Sequence, residues 1–411
     1  MATATDTCDR KRMAISGRGF AGATLAAKSS LAQARVVATS FAQHHPDAPF
    51  FVLLADEAEG YFDPADEAYR TLFLDDLDIP DVARFRFSFT SQELTYAATP
   101  FLIARLLDFG FERLLFIKQE SLVLGELESV VADLPEGGVA LTPHLLAPLE
   151  GGDGAERELT ILLAGVFNAG FVGVAAGADS ARFLRWWQNR VYRNCRYAVA
   201  EGIHYEQRWL DLAPAYFERI KILHDAGLNV GHWNLPDRRV TVADGSVRAE
   251  GRECRLFRFS GYDPDHPEYA TRYSPRLRTV ELGHAAAVYE RYRQALLAAG
   301  WVETRAWPYA YDHFDNGVRI PDVARDIYRR LDDVTCFGDP FDTRRPNSFF
   351  AWLRERVDGR RGPTRFWFGV YEGRPDLQAA FPRVHGRHRR AFDRWIRSAG
   401  VSEYDVPEPL R

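Results

Sequence analysis

Cysteine is scarce in this chain: four in 411 residues (Cys8, Cys195, Cys254, Cys336), at no spacing suited to a metal ion. A set so small and scattered excludes a disulfide framework and fits a reduced, cytoplasmic compartment. Also missing is any apolar run approaching the ~20 residues of a transmembrane helix, so no membrane span is expected. No long basic run occurs and the net charge is −5, which argues against a nucleic-acid partner. Arginines do gather between Arg354 and Arg397, but they alternate with acids and aromatics as on a solvated helical face. Repeats and low-complexity tracts are absent too. What remains is ordinary globular material, 46% hydrophobic and 27% charged, long enough for two packed units or one domain with a large appendage.

The first residues need separate treatment. Arg10, Lys11 and Arg12 precede a mildly apolar stretch up to Ala27, but Gly17, Arg18, Gly19 and Gly22 break it. A secretory signal wants an uninterrupted apolar centre, so residues 1–20 are expected to form a flexible leader. Gly17-Arg-Gly-Phe-Ala-Gly22 also matches the dinucleotide fingerprint and raises an NAD(P)-linked oxidoreductase as one function. Against it, Met13–Ser16 is very short for the required strand, and no acid lies about 20 positions on, where Arg35 to Ser40 stand. His385-any-any-His388 has no carboxylate companion and lies among arginines, which makes it a surface pair rather than a zinc site.

From Ala21 to about residue 175, short apolar runs alternate with helical periodicity. Strands are expected at Ala23–Ala27, Phe50–Leu54, Leu114–Ile117, Val139–Thr142 and Gly170–Val174. Helical spacing separates them in Ala34, Val37, Ala38 and Phe41, and again from Ser91 to Phe109. Such alternation implies an α/β unit with a mainly parallel sheet. Residues 178–220 read as helical and aromatic-rich, Ala243-Asp-Gly-Ser246 reads as a hairpin turn, and helical pattern dominates from Val280.

The most informative segment is Leu114–Ile117 with the polar residues Lys118, Gln119 and Glu120 directly after it. In an open α/β sheet, ligands bind beyond the carboxyl ends of the strands, so these three side chains stand where a site belongs. This strand end resembles the one in nucleotide-sugar glycosyltransferases of the GT-A fold. There it reads Asp-any-Asp, and the carboxylates hold a divalent cation against the donor diphosphate. Here Lys118 takes the first aspartate's place and Glu120 the second's.

Other segments resemble the same family, in its bacterial, actinobacterial-type form, in order over roughly residues 23–275. They are Ala34–Phe41 with His44-His-Pro46 and the strand to Asp56, Leu94–Phe101, Thr142–Leu146, Gly165–Phe171, Glu206–Asp211, Asn229–Leu235 and Phe257-Arg-Phe-Ser-Gly261. In the family the second residue of that last segment is usually a metal-binding histidine; this chain has Arg258. Both altered positions thus carry fixed cations. Preorganised cations near a leaving diphosphate lower the barrier whether they are metal, lysine or arginine. Arginine grips phosphate bidentately, and lysine supplies a point charge.

The resemblance implies a GT-A (Rossmann-like) domain over residues 21–277 and a helical C-terminal lobe over 278–411. It implies a glycosyltransferase, of carbohydrate or natural-product biosynthesis, moving a sugar from a nucleoside-diphosphate donor to a glycan or small-molecule acceptor. No metal or other cofactor is expected. Lys118, Glu120, Arg258 and Glu206 would be catalytic. Donor-binding residues would be Asp56, Lys118, Gln119, Arg258, Ser260 and Gly261, with Asn168, Gln207 and Trp233 facing the acceptor. Some of these have blander roles open to them. Asp56 suits a turn cap, Asn168 a turn beside Gly170, and Glu206 a helix-start carboxylate. The alternative function is a non-catalytic sugar-nucleotide or glycan-binding protein on the same fold. Donor base, sugar, acceptor, stereochemical outcome and oligomeric state are not legible.

Overall fold

The computed structural model describes residues 19–359 and 362–411. The early apolar runs become three parallel strands, β1 (Phe20–Ala26), β2 (Phe50–Leu54) and β3 (Arg70–Phe73). They continue through β4 (Arg113–Ile117), β5 (Ser121–Val123), β6 (Val139–Pro143) and β7 (Phe167–Ala175). The short strands β8 (Tyr197–Ala198), β9 (Ile203–His204) and β10 (Ile220–Ile222) follow. Last come β11 (Val240–Ala243), β12 (Ser246–Ala249), β13 (Arg252–Glu253) and β14 (Leu256–Arg258).

Seven strands form one sheet in the order β10-β6-β7-β4-β1-β2-β3. All neighbours run parallel except β7, which is antiparallel to both β4 and β6. The α/β class with a mainly parallel sheet is therefore as the sequence implies. The chain lays β2 and β3 on one side of β1 and then returns to place β4 on the other. That reversal is the switch point of an open α/β sheet, where a crevice forms at the carboxyl ends of the strands.

The centre of the sheet is apolar on both faces. Leu114, Leu115, Phe116 and Ile117 are all fully buried, split between two clusters on opposite sides of the sheet. Full burial of such side chains stabilises by about 1.5–3 kcal/mol each, so a central position for β4 is strongly specified. One face is covered by the helix Leu31–His44, whose Val37 and Phe41 pack there. Helices Thr99–Asp108 and Ala178–Val191 cover the other.

Several boundaries differ from expectation for local reasons. β1 starts at Phe20 and takes in Gly22, so the last glycine of the apparent dinucleotide motif lies within a strand and opens no helix. The rings of Phe50 and Phe41 occupy the space where a Gly22 Cβ would stand. The expected helix from Ser91 to Phe109 is two helices, Ser91–Ala97 and Thr99–Asp108, because Pro100 has no N–H to continue the ladder. Residues 178–220 hold one long helix, Ala178–Val191, then turns and the β8–β9 hairpin, and helical structure returns in the short helices Arg208–Leu212 and Ala213–Tyr216. The Asp244-Gly245 turn joins β11 to β12 as expected, with φ of 50° and 77°.

Helix Ala285–Ala298 packs against Phe257, Phe259 and Tyr262 of the α/β unit. A separate aromatic cluster of helices, including Phe349, Phe366 and Trp367, begins near Phe314 and takes in Phe87 from the α/β unit. Of the expected leader, residues 1–20, positions 1–18 with Cys8 lie outside the described residues, and Phe20 belongs to β1 instead. Cys195, Cys254 and Cys336 are free. His385 is exposed beside Asp358, and no helix among the described residues is long and apolar enough to cross a membrane.

Candidate functional site

Two strand ends build the site. β4 stops at Ile117 because the next residues turn polar, and Lys118 keeps one last sheet bond, its N–H donating to the Gly170 carbonyl at 2.9 Å. β14 pairs antiparallel with β5, bringing Arg258 opposite Ser121 and so beside Glu120. Residues 138 apart in sequence thereby meet: one Arg258 Nη donates to Glu120 Oε1 at 3.1 Å, and the other to Asn168 Oδ1 at 3.0 Å. Gly170 makes room for this arrangement, since a Cβ there would lie 1.0 Å from the guanidinium.

Lys118 is paired as well. Its Nζ donates to Glu206 Oε1 at 2.9 Å and stands 3.4 Å from the centroid of the Tyr96 ring. The cluster of Lys118, Arg258, Glu120 and Glu206 is thus two buried ion pairs with no net charge. Burial opposes ionisation of Glu120, yet Arg258, Lys118 and a hydrogen bond from Ser260 outweigh it and hold the carboxyl below the usual range. Tyr96 is pushed the other way, upward, by burial and then by Glu120 and Glu206.

The residues expected to face an acceptor divide into satisfied and unsatisfied ones. Asn168 Oδ1 also accepts from the Gly170 N–H at 2.7 Å, and its amide nitrogen meets His144 Nε2 at 3.1 Å. His144 Nδ1 lies 3.2 Å from the Val166 carbonyl. Burial lowers the His144 pKa to about 3, so the ring is neutral, donating through Nδ1 and accepting at Nε2. Gln207 accepts from the Ala169 N–H at 3.0 Å and donates to the Ala164 carbonyl at 2.9 Å, which engages both ends of its amide with backbone. Trp233 sits edge-on to His144 and near Arg258, and its Nε1–H has no partner among the described residues.

Of the residues expected to bind a donor, Ser260 and Gly261 follow Arg258, and Gly261 takes a left-handed φ of 73° against Thr271 and Tyr273. A hollow of about 330 Å³ opens there, lined by Gly261, Asp263, His266, Tyr269, Thr271 and Arg272. A second, of about 380 Å³ between helices Thr99–Asp108 and Ala178–Val191, includes Ala176 just after the end of β7, away from these side chains. Gln119 is buried with its Oε1 unpartnered among the described residues.

Asp56 stands at the end of β2, but its carboxylate is engaged. It accepts from the N–H groups of Lys28, Glu57 and Ala310 at 3.1, 2.9 and 2.9 Å and from Lys28 Nζ at 3.4 Å. Four acceptor positions are about what a carboxylate has. Lys28, Tyr96 and His144 do not stand out in the sequence. Their signal is positional: Lys28 lies two residues beyond β1, and Tyr96 and His144 lie inside segments that resemble the family.

No family model matches this chain. An uncharacterized protein of Bacillus subtilis, YfnF, is 23% identical over 250 residues, covering 58% of this chain and 80% of that protein. Among solved structures, galactosyltransferase LgtC with donor and acceptor sugar analogs is 16% identical, covering 67% of this chain and 95% of that one at a TM-score of 0.41. Glycosyltransferase GlyE of Streptococcus pneumoniae is 14% identical, covering 72% and 67% at a TM-score of 0.39. Similarities of this size leave the chemistry to the side chains themselves.

The family that the motifs resemble uses a divalent ion, and the donor set here does not fit one. Lys118 and Arg258 have no lone pair to offer, and Glu120 is engaged by Arg258. Among the described residues no group of three His, Cys, Asp or Glu side chains is placed to hold a metal.

Proposed function

We propose that this chain is a GT-A glycosyltransferase that moves a sugar from a nucleoside-diphosphate donor to an acceptor hydroxyl, with Lys118 and Arg258 standing in for a metal at the diphosphate. One observation carries the reading: two cations far apart in sequence, Lys118 and Arg258, are buried at the carboxyl end of the central strand, each paired with an acid. An arriving diphosphate competes with the internal carboxylates, and Lys118 turns from Glu206 to a phosphate oxygen. Glu206 is then free for the acceptor. As the bond from the anomeric carbon to the diphosphate breaks, the acceptor oxygen bonds to that carbon and its proton passes to Glu206. Charge developing on the leaving phosphate is met by Lys118 and Arg258.

Transfer measured with and without EDTA tests this. Activity persists in EDTA, gains nothing from Mn²⁺ or Mg²⁺, and falls by about 10²-fold or more in Lys118→Ala or Arg258→Ala, the scale for one preorganised charge donor. Strict Mn²⁺ dependence with a metal at Glu120 overturns it. A second reading, a sugar-nucleotide or glycan-binding protein without turnover, is favoured by the internal neutralisation of both cations. Donor binding with neither transfer nor donor hydrolysis selects it.

A further inference from the structure

The helix Gly154–Ala164 is turned inside out. A surface helix ordinarily lays its apolar stripe on the body of the protein and shows charge to water. Here charge does the attaching. The Arg157 guanidinium grips the Asp237 carboxylate with both terminal nitrogens, and Glu158 Oε1 accepts from the Leu149 N–H at 2.8 Å. Leu159, Leu162 and Leu163 face water instead, exposed by 59, 50 and 56%. With the exposed Ala155 they lie within about 100° of one another around the helix, and Val166, just past its end, is exposed as well. None of the five joins a hydrophobic cluster of the described residues.

The stripe runs out at the site. The last helical carbonyl, that of Ala164, accepts from the Gln207 amide at 2.9 Å, and the Val166 carbonyl accepts from the His144 N–H at 3.0 Å. Gln207 follows Glu206, whose Oε2 is buried without a partner among the described residues. Size and charge choose what covers the stripe. A helix of 11 residues is ~16 Å long, and alone it falls short of the about 1,200–2,000 Å² that a stable protein interface buries. Asp153 and Glu156 are exposed at its start, and its one cation, Arg157, is held by Asp237, so an anionic bilayer is repelled. A single hydrocarbon chain needs only the stripe itself.

We infer that the acceptor is an amphiphile, with a hydroxyl-bearing head at Glu206 and a hydrocarbon tail lying along Leu159, Leu162 and Leu163. The inference rests on the glycosyltransferase reading above and adds the class of acceptor. Covering three half-exposed leucines removes apolar surface from water on both partners, which is the driving force for seating the tail.

NMR titration with methyl, hexyl and octyl glucoside, each below its micellar concentration, measures the tail's contribution. The wild type is compared with the double variant Leu159→Gln, Leu163→Gln, since glutamine keeps the helix at both exposed positions. A fully buried methylene is worth about fourfold in affinity, and a chain lying on a surface covers only part of itself. The octyl glucoside is therefore expected to bind at least about tenfold more tightly than the methyl one. The double variant loses that gain and keeps the wild-type urea midpoint. No gain with chain length, or a gain that survives in the variant, overturns the inference. So does a wild type that sediments as a dimer where the variant sediments as a monomer, because a second copy then covers the stripe. Co-sedimentation with phosphatidylcholine vesicles without a chain-length gain overturns it too and assigns the stripe to a bilayer. Titration with UDP and GDP keeps the two readings apart: if neither binds, the function proposed above falls, while the chain-length gain still decides whether the stripe holds a hydrocarbon tail.

Discussion

At the scale of single residues, the site is a set of mutual dependencies. Arg258 reaches Glu120 and Asn168 only because position 170 has no Cβ. Gly170→Ala is therefore expected to keep the fold, since the far end of a long side chain can move, while expelling the guanidinium. Turnover then falls about as far as in Arg258→Ala, and the double variant is no worse than either single one, the non-additivity of a shared interaction. Additive losses in a double-mutant cycle count against the dependency. One buried and two half-buried histidines set the response to pH. Burial lowers His144 to about 3 and both His204 and His232 to about 4, against an ordinary 6.5. Below 6.5 the unfolded chain binds protons that the folded one refuses, so their contribution is complete above 6.5 and fades as pH falls toward 4. Urea midpoints are expected to drop between pH 7 and pH 5, and less steeply in His144→Gln. The sequence made Lys118, Glu120 and Arg258 legible through where they fall in the chain. It hid their pairing with Glu206 and Asn168, because nothing local encodes which acid faces which base.

At the scale of elements, what could be read was what burial writes into a local run. Leu114–Ile117 and Phe50–Leu54 are continuous apolar stretches, and both are strands at the expected places. The edge strands β3 and β10 went unread because Arg70-Thr-Leu-Phe and Ile220-Lys-Ile are short and only partly buried, leaving little pattern. Aromatic density misled in 192–207, where Tyr205 packs on the core from a turn, whereas Trp209 packs there from the 3-10 helix Arg208–Leu212. Helix Ser91–Ala97 matters more than its length suggests, for it carries Tyr96 under Lys118. Its start is a capping box: the Thr90 hydroxyl accepts from the Glu93 N–H at 3.4 Å, and Glu93 Oε2 accepts from the Thr90 N–H at 3.1 Å. Thr90→Ala is expected to cost about 1 kcal/mol, read from urea unfolding. An unchanged midpoint would mean that the packing of Leu94 and Ala97 alone holds the helix start.

At the scale of the whole molecule, one meeting place of the later helical residues with the sheet is the end of β2. Glu57 accepts from the Tyr311 hydroxyl, and Asp56 accepts from the Ala310 N–H at 2.9 Å, so two acids at the strand end hold one turn 254 residues away. Behind Asp56, Lys28 is fully buried, and its ammonium is held by Asp56, Glu59 and the Glu57 carbonyl. From the sequence, Asp56 was a donor-binding residue or a turn cap. The structure adds a long-range partner, Ala310, that no local pattern reveals. Asp56→Ala removes the acceptor for the Ala310 N–H and one counter-charge of a buried lysine. Breaking a buried pair from one side costs about 3–5 kcal/mol where the remaining charge is stranded, but Glu59 and the Glu57 carbonyl still hold the Lys28 ammonium. The loss in urea unfolding is therefore expected below that range. Asp56→Asn, which keeps an oxygen for Ala310 but not the charge, should lose less than alanine. Limited proteolysis separates the two contributions: cleavage between residues 299 and 310 rises in Asp56→Ala, where the turn is released, and stays near wild type in Asp56→Asn. Equal cleavage in both variants would show that the turn is held by Tyr311 and the packing around it, with Asp56 serving only Lys28.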